Sequence, residues 1–298
     1  MIFTHTLNEE KRIGRLLDSL KKQKHIEFRV VVSDNFSADT TVKIINSYRK
    51  DINLTLIYPP KQILLLDHFF YVAEYCKNIL SKDEGIIYIG ADDYFLESTY
   101  LEELIETRVK FPESIVVPNF VIDSLSSATR VTTRGQYKNR SKYVRLFRFL
   151  IANHHHGNRF NLGLFNREMF IYRLDRELMH SKNHDFKSRN SIGEFFTLID
   201  LILKYTVIVN SRATFVKEVN NRNITDVREN ENHTKVEISK LNAIRNLFGK
   251  NMSTFRLLKH RRAKHKAVIF AYRVVGFISF VRNSSYDLFL YCKKHFMR

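Results

Sequence analysis

The chain has 298 residues, of which 44% are hydrophobic, with only four Pro and nine Gly. That composition leaves room for a sizeable core and excludes wholesale disorder, collagen-like repeats and a many-turned all-β architecture. Its formal charge is +18, and residues 221–298 carry 17 Lys/Arg against 5 Asp/Glu, two-thirds of the excess. Such a tail suits a polyanion, either nucleic acid or an anionic membrane surface. Cys76 and Cys292 stand far apart and give neither a disulfide framework nor zinc-ligand spacing.

Ile2–Thr6 reads as a first strand, followed by Leu7-Asn8-Glu9-Glu10. No secretory leader pattern precedes it, so a cytoplasmic location is expected. Ile13, Leu16, Leu17 and Leu20 repeat at i, i+3, i+4, i+7 and predict an amphipathic helix. Phe28–Ser33 is a second strand that breaks at Asp34-Asn35-Phe36-Ser37-Ala38-Asp39-Thr40-Thr41, and a helix with Val42, Ile45 and Tyr48 on one side follows. Leu54–Tyr58 is a third strand ended by Pro59-Pro60, and Phe69, Val72, Ala73, Cys76 and Leu80 mark a third helix. The apolar run Ile86–Ile89 is a fourth strand, buried by its composition, and it stops at Gly90-Ala91-Asp92-Asp93.

Strand–helix three times over, then a strand, predicts a mostly parallel α/β sheet with helices on both faces. Its carboxyl edge, where such sheets place ligands, then collects Thr6, Asn8 and Glu9 from strand one, Asp34 from strand two, and Asp92 and Asp93 from strand four. Each could be a cap or a solvated turn. Their shared edge is what argues for a site. Paired carboxylates there suit a hard divalent cation on a diphosphate.

The remaining elements are read more coarsely. Thr99-Tyr100-Leu101-Glu102 has capping-box spacing for a helix reaching Lys110. Ser114–Pro118 and Phe120–Asp123 are strand-like, and the polar, basic residues 124–140 read as a loop. His154 and His156 could ligate a metal but lack a third ligand at suitable spacing. Ser191-Ile192-Gly193-Glu194 opens a helix carrying Phe195, Leu198, Ile199 and Ile202, again with capping-box spacing, and Thr206–Asn210 and Thr214–Val219 are closing strands.

Three motifs taken together resemble the family 2 glycosyltransferases of GT-A fold: Thr6-Leu7-Asn8-Glu9, Val32-Ser33-Asp34-Asn35-Phe36-Ser37-Ala38-Asp39-Thr40-Thr41, and Ala91-Asp92-Asp93. They occur in the family's order across about the first 110 residues. The resemblance implies a Rossmann-like GT-A domain that transfers a sugar from a nucleotide-sugar donor with inversion. It further implies that Asp34 contacts the nucleobase, that Thr6, Asn8 and Glu9 line the nucleoside pocket, and that Asp92, with Asp93, ligates Mg²⁺ or Mn²⁺ on the diphosphate. Where the family's Asp-x-Asp motif has its first Asp this chain has Gly90, and Asp93 is the candidate substitute. The family's general base falls at the start of a late helix, where Glu194 is the match and Asp185 the rival.

Residues 1–220 are accordingly expected to be a GT-A catalytic domain and residues 221–298 a basic helical extension. Lys259–Lys266 abuts the apolar run 267–281, which is shorter than the ~20 residues a bilayer span needs and is interrupted by Arg273. An interfacial helix on anionic lipid, at the inner face of the membrane, is the expectation, with a core helix as the alternative. The expected acceptor is a lipid-linked or cell-surface polysaccharide. Three other readings stay open. One is a nucleic-acid binder using the tail, which leaves the strand-end carboxylates without a role. Another is a catalytically inactive transferase fold used for binding. The third is a sugar-nucleotide nucleotidyltransferase, for which no Gly-rich basic loop follows the first strand.

Overall fold

A computed structural model of the chain describes residues 1–124, 127–131, 163–183 and 190–219. These form one compact unit. Four elements in parallel register make the first sheet: β1 (Ile2–Thr6), β2 (Val30–Asp34), β3 (Leu54–Ile57) and β4 (Ile87–Tyr88), in the order β3-β2-β1-β4. The connections run through α1 (Ile13–Lys21), α2 (Thr41–Ser47) with a 3₁₀ turn at Tyr48–Lys50, and α3 (Leu65–Ile79). The Ile13, Leu16, Leu17, Leu20 stripe is fully buried, as its spacing predicts, and packs against Ile2, Val30 and Val32. Each such side chain contributes about 1.5–3 kcal/mol by leaving water. On the opposite face of the sheet, Phe3 meets Phe69 of α3 at 6.2 Å between ring centroids.

β4 pairs over only two residues, less than the predicted Ile86–Ile89. The flanking residues are nonetheless tied in: Ile89 N–H donates to the Phe3 carbonyl at 3.1 Å, and Ile86 bridges Phe165. Leu164 in turn bridges Val116, so the short segment Leu164–Phe165 joins the first sheet to a second one. That second sheet has the order β5-β8-β6-β7. Its strands are β5 (Tyr94–Phe95), β6 (Ser114–Ser124), β7 (Ser127–Val131) and β8 (Thr206–Val219). Helix α4 (Tyr100–Lys110) lies against β6 and β8, and α5 (Arg167–Asn183) and α6 (Asn190–Lys204) pack as a pair.

Several boundaries differ from the sequence reading. The two stretches around Pro118 are one strand, β6, with a register shift between Pro118 and Asn119, where a residue lacking an N–H is tolerated. The two closing stretches are likewise one strand, β8. Opposite that shift, Ser211, Arg212 and Ala213 bulge out of β8 while the Asn210 side chain accepts the N–H groups of Arg212 (2.8 Å) and Ala213 (3.1 Å). Residues 127–131, read as the start of a loop, form β7 by pairing back on β6. The helix opened by Thr99 runs to Lys110 as read, without the capping bond. Helix α6 begins at Asn190, which places Ser191 inside the first turn. The extension 221–298, with its basic cluster and apolar run, lies outside the described residues, as do His154 and His156. Among the described residues no helix is long and apolar enough to cross a membrane.

Candidate active site at the carboxyl edge of the sheet

Thr6 and Asp34 close β1 and β2 side by side, and the Asn35 N–H donates to the Thr6 carbonyl at 2.9 Å just beyond them. From there the two loops are joined by their own polar groups. Asn8 takes a left-handed φ of 55°, which Asn tolerates. Its N–H donates to Ser37 Oγ (2.8 Å) and its Oδ1 accepts the Ala38 N–H (2.8 Å). Glu9 N–H donates to Thr41 Oγ1 (2.8 Å), and Thr40 donates through both N–H and hydroxyl to Glu10 Oε2. The sequence places Ser, Thr, Asn and Asp here because their short side chains bond nearby backbone where no ladder exists.

Asp34 is buried, 1% exposed, and its carboxylate accepts the Ser37 N–H (2.9 Å) and hydroxyl (2.5 Å). Those bonds fix the carboxylate and leave further lone pairs for a ligand. Beside it, Thr6 Oγ1 is buried with no hydrogen-bond partner. An unsatisfied buried hydroxyl costs about 1–3 kcal/mol, which a bound ligand would offset.

Asp92 and Asp93 lie in a tight turn between β4 and β5, closed by the Asp93 N–H on the Gly90 carbonyl at 3.1 Å. A Cβ added to Gly90 would sit 2.8 Å from Asp92 Oδ1 and 3.0 Å from Asp93 Oδ2. The two carboxylates therefore converge on the space that a side chain at position 90 would need. Asp93 is 8% exposed, and its Oδ1 is buried without a hydrogen-bond partner. Burial pushes its carboxyl well above the usual range, the neighbouring Asp92 charge pushes it further, and Lys217 on β8 opposes the shift. Glu9 is also raised, first by burial. Its Arg12 partner lowers it through contacts of 2.6 Å (Nε–Oε2) and 2.9 Å (Nη2–Oε1), and Asp92 raises it. The charge of Asp92 thus reaches Glu9 across the edge.

These groups suit a cation. Two converging carboxylates, one with an orphaned buried oxygen, supply hard oxygen ligands, with the remaining positions left to diphosphate and water. Among the described residues no group of three or more His, Cys, Asp or Glu could hold a metal ion, and the candidate donors there are that carboxylate pair.

Behind this edge lies a layer that sequence reasoning did not single out. His68 on α3 is buried, and its Nε2 is 2.8 Å from Ser33 Oγ. His5 on β1 stacks on Tyr88 at 5.7 Å and meets His68 edge-on at 5.1 Å. Burial drives both imidazoles neutral, His5 to about 3 and His68 to about 4. Arg12 and Lys217 were also missed. Arg12 stands three residues from Glu9 on the way into α1, a spacing that does place charges together. Lys217 comes from β8, and only the sheet topology brings it to Asp93.

The structure brings Thr6, Asn8, Glu9, Asp34, Asp92 and Asp93 to one edge, as expected. Asp185 lies outside the described residues. Glu194 is in the first turns of α6 by its backbone, and its side chain is outside the described set. Helix α5 starts at the foot of the sheet, where Arg167 Nε donates to the Leu80 carbonyl (3.1 Å). A His180–Asp200 hydrogen bond (2.9 Å) and a Glu168–Lys204 ion pair (3.7 Å) tie α6 to it.

The model of the glycosyl transferase family 2 matches residues 1–172. A curated relative, the poly(ribitol-phosphate) beta-N-acetylglucosaminyltransferase TarS of Staphylococcus aureus strains Mu50 and MW2, is 32% identical over 103 residues, covering 33% of this chain and 17% of the relative. The crystal structure of S. aureus TarS superposes with a TM-score of 0.52 at 19% identity over 73% of this chain and 36% of that one. A shorter TarS structure in complex with UDP-GlcNAc gives 0.51 at 17% identity, covering 74% of this chain and 58% of that one. At such identities the solved structures show a shared GT-A fold, and this chain spans less than a fifth of the curated relatives' length.

Proposed function

The chain belongs to the family 2 glycosyltransferases, and on that premise we propose that it transfers a sugar from a nucleoside-diphosphate donor, in the first instance a UDP-sugar, to a lipid-linked or cell-surface polysaccharide acceptor with inversion. The observation that carries the proposal is the convergence of Thr6, Asp34, Asp92 and Asp93 on one carboxyl edge within the family-matched region. The choice of UDP is supported by the TarS complex with UDP-GlcNAc, and a polymeric acceptor by the poly(ribitol-phosphate) in the TarS name.

In this reading Asp34 accepts a ring N–H of the base, with the Thr6 hydroxyl free to bond the nucleoside. Asp92 and Asp93 would hold Mg²⁺ or Mn²⁺, and such a cation would supply positive charge to the diphosphate. The acceptor hydroxyl oxygen bonds to the anomeric carbon as the bond from that carbon to the diphosphate oxygen breaks. Glu194 or Asp185 takes the hydroxyl proton, since a base must first reach the proton it removes. The basic segment 221–298 holds the protein at the cytoplasmic face of an anionic membrane.

Transfer and hydrolysis assays over a panel of nucleotide sugars, UDP-GlcNAc among them, with Mn²⁺ or Mg²⁺ test the proposal. Metal-dependent release of one nucleoside diphosphate is the expected result. No turnover of any donor and no nucleotide binding would overturn it, and tight binding to single-stranded nucleic acid would then favour the rival reading.

A further inference from the structure

Phe36 and Tyr58 are two large apolar side chains left in solvent at the same edge, 49% and 43% exposed, with ring centroids 6.3 Å apart and planes at 48°. Phe36 also adopts a φ of 63°, a conformation in which a bulky side chain is a genuine outlier and which glycine would take without strain. Nothing in the turn itself requires a ring there. The turn is closed by Ser37 on Asp34, and Phe36, half exposed, is not part of the buried core. Held strain of this kind gathers at ligand sites.

The position of the pair identifies what it would meet. Phe36 is two residues beyond the Asp34 carboxylate. Tyr58 follows β3, whose Ile57 pairs with Ser33, the residue before Asp34. The Tyr58 backbone is itself held, its carbonyl accepting the Tyr71 hydroxyl at 2.6 Å. An aromatic face therefore stands next to a fixed, buried hydrogen-bond acceptor. A flat ring with an apolar face and an N–H on its edge satisfies both at once, and a lipid chain or a sugar satisfies only one.

We propose that Phe36, braced by Tyr58, is the stacking face for the nucleobase of the donor, and that it positions the ring so that Asp34 can receive its N–H. This rests on the nucleotide-sugar reading above and adds to it the residues that fix the plane of the base. Base–aromatic stacking tolerates every base, so the pair supplies affinity while Asp34 supplies the choice among bases.

Phe36→Gly separates the proposal from a structural role, because glycine suits the left-handed turn. Its melting temperature should equal or exceed that of the wild type, while calorimetry with UDP in Mn²⁺ should show affinity lower by about tenfold. The chain contains no tryptophan, so Phe36→Trp installs a lone reporter whose emission should be quenched by UDP and not by pyrophosphate. UDP binding by Phe36→Gly equal to that of the wild type would overturn the stacking role and leave the transferase reading intact. Emission from Phe36→Trp that stays constant while calorimetry shows UDP bound would do the same. If the wild type bound none of UDP, GDP, ADP, CDP and dTDP, both inferences would fall together.

Discussion

Asp93 Oδ2 stands 3.0 Å from the point where a Cβ on Gly90 would lie, and Asp92 Oδ1 stands 2.8 Å from it. The glycine is therefore what lets both carboxylates turn inward, and the first position of the family's acidic motif is filled here by the side chains of the next two residues. Gly90→Asp, which restores that motif on paper, crowds a third carboxylate onto these two and should lower nucleotide binding in Mn²⁺, with little loss of stability because the atoms it displaces are the ends of flexible side chains. Calorimetry and thermal unfolding would check it, and a variant with improved affinity would show that the space is not in fact occupied.

Asp92→Asn keeps the shape of the turn and removes one charge. The expected outcome is an unchanged melting temperature with UDP affinity in Mn²⁺ reduced at least tenfold. Undiminished binding and turnover would remove Asp92 from the site.

Asp34→Ala should reduce affinity for the preferred nucleotide and narrow its lead over other bases. It also deletes the acceptor of the Ser37 bonds, so some loss of stability, about 1 kcal/mol, accompanies it. The ranking of nucleotides by calorimetry is the decisive measurement. An unchanged ranking would leave Asp34 as a turn residue alone.

Asp93 gives a pH dependence whose sign follows from its raised carboxyl. Folded Asp93 retains its proton above the unfolded carboxylate range. The folded state therefore binds more protons there, and stability falls as pH rises from about 4 through the raised folded value. Without a divalent cation, the melting temperature of the wild type should drop across that interval relative to Asp93→Asn. Mn²⁺ affinity should rise with pH in the wild type and flatten in the variant, because cation and proton compete for the same oxygens. Parallel pH profiles for the two proteins would assign the burial a purely structural role.

The tail makes a separate prediction. Lys259, Arg261, Arg262, Lys264, Lys266 and Arg273 are each worth about 1 kcal/mol near an anionic surface. The full chain should therefore float with anionic liposomes, lose that association as salt rises, and not float with neutral ones. Equal flotation on neutral vesicles would point to apolar insertion.

Much of this architecture was legible because the local signals agreed with the global ones. The Ile13–Leu20 stripe, the three strand–helix repeats and the polar residues at the ends of strands one, two and four all describe a parallel sheet with one polar edge. What escaped depends on pairing between distant segments. β7 forms only because β6 offers it an edge, and the bulge at Ser211–Ala213 exists only opposite the register shift at Pro118. Lys217 acts on Asp93 by its charge alone, from a strand more than a hundred residues away. Of the two capping-box spacings, the one at Thr99 does mark the start of α4, although its side chain makes no cap bond, whereas Ser191 falls inside the first turn of α6. Phe36 was visible in the sequence, but its significance lies in a backbone angle.

The hydrogen bonds that tie the loop after β1 to the loop after β2 have a bearing on how such a protein can change. Asn8 to Ser37 and Ala38, Glu9 to Thr41 and Glu10 to Thr40 make each loop the template for the other. Neither can gain or lose a residue without breaking bonds in its partner. On the proposed reading, affinity for the donor can therefore be retuned by exchanging single side chains such as Leu7 or Phe36 on a rim of constant length, and grafting longer loops onto either strand end would dismantle the rim before it reshaped the pocket.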